Sequence, residues 1–238
     1  MLENEKNLND IKSKEYIEEE KKQINEKLLE ENDGLSAKKI LVPAVYKEIF
    51  LDNFRYFLLS SGRISGKTSI LVAIWWAFIN KYPDRDIVFL QATAIEIKNS
   101  IINELQKFLR NSGFDISEDP ASEWYLPKAK DRIEHKGQLG VTYFYPITDS
   151  EGGQRSRGVN TPNKISLVLY EEAQKNKDAN VVQQSIFTFI RQLDKEAKLI
   201  VVGNAETVGH WFVDFVEEKR KDPSWCYIYE DCYSCCRA

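Results

Sequence analysis

The sequence predicts an α/β fold in which a mainly parallel central sheet is flanked by helices. Three observations lead there. From about residue 38 onward, short apolar runs alternate with helix-length segments. Those runs are mainly apolar, as suits strands buried on both faces of a parallel sheet. Between one such run and an apolar helix sits the triplet Gly66-Lys67-Thr68. With 238 residues, 42% of them hydrophobic, the chain can bury a substantial core in one large domain with a tail.

The first 33 residues are rich in Glu, Lys and Asn, with sparse apolar positions at Ile11, Ile17, Ile24 and Leu28. They read as a solvated helix or disordered tail, or else as a helix that docks on a partner. The break at Asn32-Asp33-Gly34 ends it. The expected organisation is a charged extension over 1–37 and one domain over 38–238. In that domain YFLLSS (56–61) reads as a buried strand and KTSILVAIWWAFINKY (67–82) as an apolar helix. DIVFLQA (86–92) is a second strand, followed by a helix over 96–111 that Gly113 ends. Residues 114–140 form an irregular excursion with short strands, and VTYFYPI (141–147) returns to the sheet. SEGGQRSRGVN (150–160) is a glycine-rich basic loop. KISLVLYEEA (164–173) is an apolar run ending in two carboxylates. A helix around 179–193, the strand KLIVVGNA (198–205), a helix around 210–221 and the strand WCYIYE (225–230) complete the pattern. No internal repeat is visible.

Charge narrows the partners. Residues 1–33 carry a net −5 of the total −4, which leaves +1 for the rest. A near-neutral body does not hold DNA by charge alone, so DNA binding would need a local patch or an oligomeric ring. No stretch approaches the roughly 20 uninterrupted apolar residues of a membrane span. The N-terminus lacks the apolar core of a signal peptide. The four cysteines crowd between Cys226 and Cys236, which argues against a disulfide framework. A cytoplasmic protein is expected.

Strand, loop, then helix is the context that gives Gly-Lys-Thr its meaning. Such a loop wraps phosphates with backbone N–H groups, and the helix N-terminus adds its positive end. The nucleotide-binding set is Ser61, Gly62, Arg63, Ile64, Ser65, Gly66, Lys67 and Thr68. Lys67 is placed to reach the outer phosphates and Thr68 to offer its hydroxyl to Mg²⁺. Ser61 stands where the pattern asks for glycine, and Gly62 beside it supplies the conformational freedom. Arg63 adds a second cation, beside the phosphates or solvated at the rim. The fold class is therefore a P-loop NTPase of the RecA-like (ASCE) kind, with ATP and Mg²⁺ as cofactors.

Glu171 and Glu172 end a buried strand, at the sheet edge where open α/β folds bind ligands. Glu171 is the candidate for organising hydrated Mg²⁺ and Glu172 for orienting and deprotonating a water. The alternative is an ordinary acidic helix start. Asn204 follows another strand and either senses phosphate or water or simply makes a turn. Arg155 and Arg157 in the basic loop either touch phosphates or are solvated, and Arg191 is a weaker candidate. Tyr46 and Arg55 lie upstream of the phosphate loop, where a base contact is conceivable. His210 has no metal-type neighbours in sequence, and the Cys232-to-Cys236 ending supplies half a zinc site at best.

The order of these motifs resembles the ATPase half of the large terminase subunit of tailed bacteriophages, in particular the PBSX-like group. VPAVYKEIFLDNFRYFLLSSGRISGKTS is similar to that group's entry into its phosphate loop, and ATAIEIKNSIINEL to its following helix segment. GGQRSRGVNTPNKISLVLYEEAQ resembles the basic loop and hydrolysis motif, and GNAETVGHWF the coupling motif. The likeness covers roughly residues 40–232. It implies a motor that packages double-stranded DNA into a preformed capsid, with Lys67 and Thr68 on phosphates and Mg²⁺. Arg63 and Glu172 would be catalytic, Glu171 would be at the metal and Asn204 at the coupling position. Ser61, Ile64 and Glu171 depart from the family's commoner residues.

The resemblance also implies double-stranded DNA, a portal protein and a small terminase subunit as partners. It implies a homo-oligomeric ring when assembled and a monomer in isolation, in a bacterial host's cytoplasm. Family members usually continue into a nuclease domain, and no acidic cluster for one follows in this sequence. Two other functions fit the same motifs. One is a different DNA-translocating P-loop ATPase. The other is a nucleotide-binding interaction module with little hydrolysis.

Overall fold

The computed structural model describes residues 44–61, 67–147, 161–176, 193–204 and 210–230, with single positions at 42, 179, 180, 182 and 184. All lie in the unit Leu41–Ala238. The extension over 1–37, the loop residues 62–66, the basic loop with Arg155 and Arg157, Arg191 and the cysteine-rich ending fall outside the described residues.

A 3₁₀ turn, Ala44–Ile49, leads to β1 (Tyr56–Ser61) and α1 (Lys67–Lys81). Then come β2 (Asp86–Gln91), α2 (Ala94–Asn99) and α3 (Ile101–Asn111). The excursion holds β3 (Ile116–Ser117), β4 (Trp124–Tyr125) and β5 (Arg132–His135), and β6 (Val141–Pro146) returns. β7 (Ile165–Tyr170), a 3₁₀ turn at Ala173–Lys175, β8 (Leu193–Gly203), α4 (Trp211–Lys219) and β9 (Trp225–Glu230) complete the order. Among the described residues no helix is long and apolar enough to cross a membrane.

The strands make one nine-stranded sheet in the order β3-β4-β5-β6-β2-β7-β8-β1-β9. From β6 to β9 every neighbouring pair is parallel; β5 runs antiparallel to both β4 and β6. This is the mixed α/β, mainly parallel sheet that the apolar runs predict. β2 and β7 are buried at every position, so neither face of the sheet's centre meets water. α1 explains one half of that cover: nine of its fifteen residues are buried, Trp75 and Ile74 among them. A helix apolar nearly all round must sit between other elements.

Two element boundaries differ from the sequence expectation. The helix read as 96–111 is two helices, Ala94–Asn99 and Ile101–Asn111, separated at Ser100. The break has a tertiary cause described below. β8 also starts at Leu193, inside the segment read as helix, because Leu193 pairs with Ile165 at the foot of β7. Propensity alone does not see that partner.

The excursion is pinned by aromatic packing. Trp124, fully buried, lies 5.6 Å from Trp75, 6.1 Å from Trp76 and 4.4 Å from His135 between ring centroids. The indole of Trp75 donates to Thr142 Oγ1 at 2.9 Å, which ties α1 to β6. At the amino edge Asp86, completely buried, accepts from the Val141 N–H (2.9 Å), the Asn163 N–H (3.1 Å) and Asn163 Nδ2 (3.0 Å).

Candidate functional site

Register brings the chemistry together. Leu90 pairs with Tyr170, Tyr170 with Val201, and Ser60 with Gly203. Gln91 and Ser61, which end β2 and β1, and Glu171 and Asn204, which follow β7 and β8, therefore leave the sheet side by side at its carboxyl edge. In the order β2-β7-β8-β1 they come from four adjacent parallel strands, each about 4.8 Å from the next. Lys67 and Thr68 open α1 directly above them.

Glu171 is 2% exposed, and its backbone N–H continues the sheet to the Leu90 carbonyl at 3.0 Å. Its carboxylate accepts three neutral hydrogen bonds. Thr68 Oγ1 donates to Oε1 at 2.7 Å. The Ser100 hydroxyl donates to Oε2 at 3.2 Å, and the amide of Gln91 donates to the same oxygen. Burial pushes the Glu171 carboxyl above the ordinary carboxylate range, and the neighbouring Glu172 adds to this. The hydroxyls of Thr68 and Ser100 and the Gln91 amide pull it back. A carboxylate so placed is eased by a cation, and a hydroxyl with a carboxylate oxygen is the hard-oxygen donor set that Mg²⁺ takes.

Glu172 follows with φ 52° and ψ 45°, the left-handed region, one of two non-glycine residues there among those described. That conformation costs on the order of 1–2 kcal/mol for a residue with a Cβ. It turns the chain so that adjacent carboxylates part: Glu171 stays buried while the Glu172 side chain is one-third exposed. Lys175, three residues on, pairs with Glu172 and lies 3.4 Å from Glu96. Partial burial works against the charge on Lys175, but the two carboxylates outweigh it and hold its pKa up. Glu96 in turn caps α2 through a reciprocal box with Thr93. Below the turn, Asn176 donates to the Tyr170 hydroxyl, and its carbonyl accepts from Trp211 Nε1 at 2.6 Å.

Lys67 Nζ donates to Asn204 Oδ1 at 2.6 Å. Gly203 lies under this contact. A Cβ there would meet the Phe212 ring at 2.4 and 2.6 Å and Gln174 Oε1 at 2.8 Å, so α4 can lie close over the end of β8 only with glycine at that place.

Of the predicted site residues, Lys67, Thr68, Glu171, Glu172 and Asn204 stand at one sheet edge, and Ser61 ends β1 there. Gly62, Arg63, Ile64, Ser65 and Gly66 lie outside the described residues. Arg55 sits at the opposite end of β1, with Nε 3.5 Å from the Ala197 carbonyl, and Tyr46 is 2% exposed in its 3₁₀ turn. His210 caps α4, accepting from the Phe212 N–H at 3.2 Å. Among the described residues no group of three or more His, Cys, Asp or Glu side chains is placed to hold a metal ion. Gln91, Ser100, Glu96 and Lys175 are the members that sequence reasoning missed. Gln91 alone left a signal, as a polar residue closing an apolar strand at the ligand-binding edge.

No family model matches the chain, and no curated protein matches it. Solved structures do. The large terminase of a thermophilic bacteriophage in complex with ADP superposes with a TM-score of 0.56 at 13% identity, over 78% of this chain and 43% of that one. The large terminase of bacteriophage HK97 gives 0.55 at 15% identity, over 82% and 40%. The ATPase domain of the Thermus phage P74-26 large terminase gives 0.55 at 13% identity, over 82% of both chains. This chain thus spans under half the length of the first two of these proteins. At these identities the likeness is one of fold: a P-loop α/β fold of the kind those ATPase domains have.

Proposed function

We propose that residues 38–238 are an ATP-hydrolysing motor domain of the phage large-terminase type, which drives double-stranded DNA into a capsid, and that residues 1–37 are an extension to it. The observation that carries this reading is the meeting of Thr68 Oγ1 and Glu171 Oε1 at 2.7 Å across 103 residues. It joins the start of the helix after the phosphate loop to the strand end that bears the paired acids. The structural neighbours, one of them an ADP complex and another an isolated ATPase domain, support the choice of nucleotide and of machine.

In this reading the loop from Ser61 to Thr68 holds ATP, with Lys67 on the outer phosphates and Arg63 beside them. Thr68 and Glu171 would hold Mg²⁺, which would supply charge neutralisation at the phosphate oxygens. Glu172 accepts the proton of the attacking water and Asn204 reports on the phosphate. Lys67 must exchange Asn204 for phosphate when nucleotide enters, so Asn204 becomes free for a new partner at that moment. In this reading a near-neutral body grips DNA through a local patch or a ring. The terminase likeness adds assembly on a portal protein with the small terminase subunit, in the cytoplasm of a bacterial host.

ATP turnover with and without duplex DNA, beside Glu172→Gln, tests the proposal. The variant keeps the shape and removes the base, so it should bind ATP normally and turn over at least roughly 100-fold more slowly. Equal turnover by both chains sinks the catalytic assignment. Turnover that no DNA or portal changes sinks the packaging assignment and leaves a P-loop ATPase of another kind.

A further inference from the structure

Residues 94–111 have the composition of one helix, yet the chain leaves helical geometry at a single residue, Ser100, with φ −108° and ψ −93°. Both flanking segments are well anchored. Ile97 is buried in α2, and Ile101, Ile102, Leu105 and Leu109 are buried in α3. Nothing in the local sequence calls for a stop: there is no Pro or Gly, and Ser100 makes no side-chain cap for α3. What the break does is aim the Ser100 hydroxyl at Glu171 Oε2, 71 residues away.

Gln91 reaches the same oxygen from the end of β2 and is itself 1% exposed. The orientation of its amide follows from this contact, since Oε1 turned toward the carboxylate would set acceptor against acceptor. That leaves Gln91 Oε1 as a buried acceptor with no hydrogen-bond partner among the described residues. A buried carbonyl oxygen without a donor is destabilising, and water gathered beside a hydrated cation is the kind of donor that relieves it.

We infer that Gln91 and Ser100 are positioning residues: they hold Glu171 Oε2 so that Oε1 stays directed at Thr68, where the cation binds. The inference rests on the proposed Mg²⁺-nucleotide role of Thr68 and Glu171. The geometry divides the carboxylate by oxygen. Oε1 belongs to the phosphate-loop side, and Oε2 belongs to the β2–α3 side. With either donor missing, the carboxylate gains a rotation about its last bond, and the oxygen that should face the cation is no longer fixed. Partners behind a metal ligand typically change metal affinity about 10–100-fold when removed. Here two donors share one oxygen, so each alone is expected at the lower end.

Binding of a fluorescent ADP analogue to the full chain, titrated with Mg²⁺ and repeated in EDTA, tests this without relying on turnover. Ser100→Ala and Gln91→Leu should each raise the Mg²⁺ concentration for half-maximal enhancement by roughly 3–10-fold. Affinity in EDTA should stay within about twofold of the native chain, which also shows that the variants fold. Ser100→Thr, which keeps the hydroxyl, should restore the midpoint, whereas a merely structural role for the small residue predicts that Thr is worse than Ala. Glu171→Gln separates the two layers of the argument. If it shifts the Mg²⁺ midpoint while Ser100→Ala and Gln91→Leu do not, the cation site stands and the positioning role is overturned. If Glu171→Gln leaves the midpoint unchanged, the metal role of Glu171 falls and the positioning role falls with it.

Discussion

Lys67, the first residue of α1, donates from Nζ to the Oδ1 of Asn204 across 137 positions of the chain, at 2.6 Å. The contact links the start of α1 to the end of β8. It gives Asn204 a role that a plain turn residue does not have, since a turn asparagine bonds its own backbone. Asn204→Ala should lower ATP turnover by roughly 10–100-fold while changing nucleotide affinity less than about threefold, the pattern of an interaction made chiefly in the transition state. Asn204→Asp should do the opposite, because a charge-assisted bond is about twice as strong and would hold Lys67 away from phosphate. Steady-state kinetics with equilibrium binding on both variants decides between them.

Gly203 is expected to tolerate no side chain. Gly203→Ala places a Cβ against the Phe212 ring at 2.4 Å, and Phe212 is itself fully buried. Overpacking of this kind costs about 1–3 kcal/mol. Thermal unfolding should show the loss, and Phe212→Leu in the same chain should recover part of it. A Gly203→Ala chain as stable as the native one would mean that α4 shifts freely over the sheet.

Asp86→Ala should be among the most damaging single changes far from the site. It strips acceptors from the Val141 and Asn163 backbone N–H groups and from the Asn163 side chain, all at the amino edge. A donor left without its acceptor at a buried site costs about 1 kcal/mol or more. A loss of roughly 3 kcal/mol, read from denaturant midpoints at unchanged slope, is expected. Turnover per folded molecule should hardly move, because Asp86 and Gln91 are at opposite ends of β2.

His135 makes stability fall on the acid side. Burial against Trp124 lowers its pKa below the ordinary 6.5, with Glu123 at 3.9 Å offsetting only part of the effect. The unfolded chain then binds more protons than the folded one below about pH 6.5, so stability rises with pH through that window and is lost as pH falls. His135→Phe should flatten the dependence between about pH 5 and 7 in denaturant titrations. An unchanged acid limb in that variant assigns it to other groups.

The sequence by itself determined the architecture. The mainly apolar runs at 56–61, 86–91 and 165–170 suit strands covered on both faces, and α1, apolar on nearly every side, supplied cover. It also singled out Lys67, Thr68, Glu171, Glu172 and Asn204, which all stand where a strand ends or a helix begins. Such positions are legible locally. Only the tertiary structure decided what each of them touches. The sheet order sets β2, β7, β8 and β1 side by side, and from that come the Thr68–Glu171 and Lys67–Asn204 contacts. The break at Ser100 and the left-handed turn at Glu172 belong to the same class. Each runs against local preference and is stable only because a buried carboxylate, or a turn anchored through Asn176 to Tyr170 and Trp211, offsets its cost.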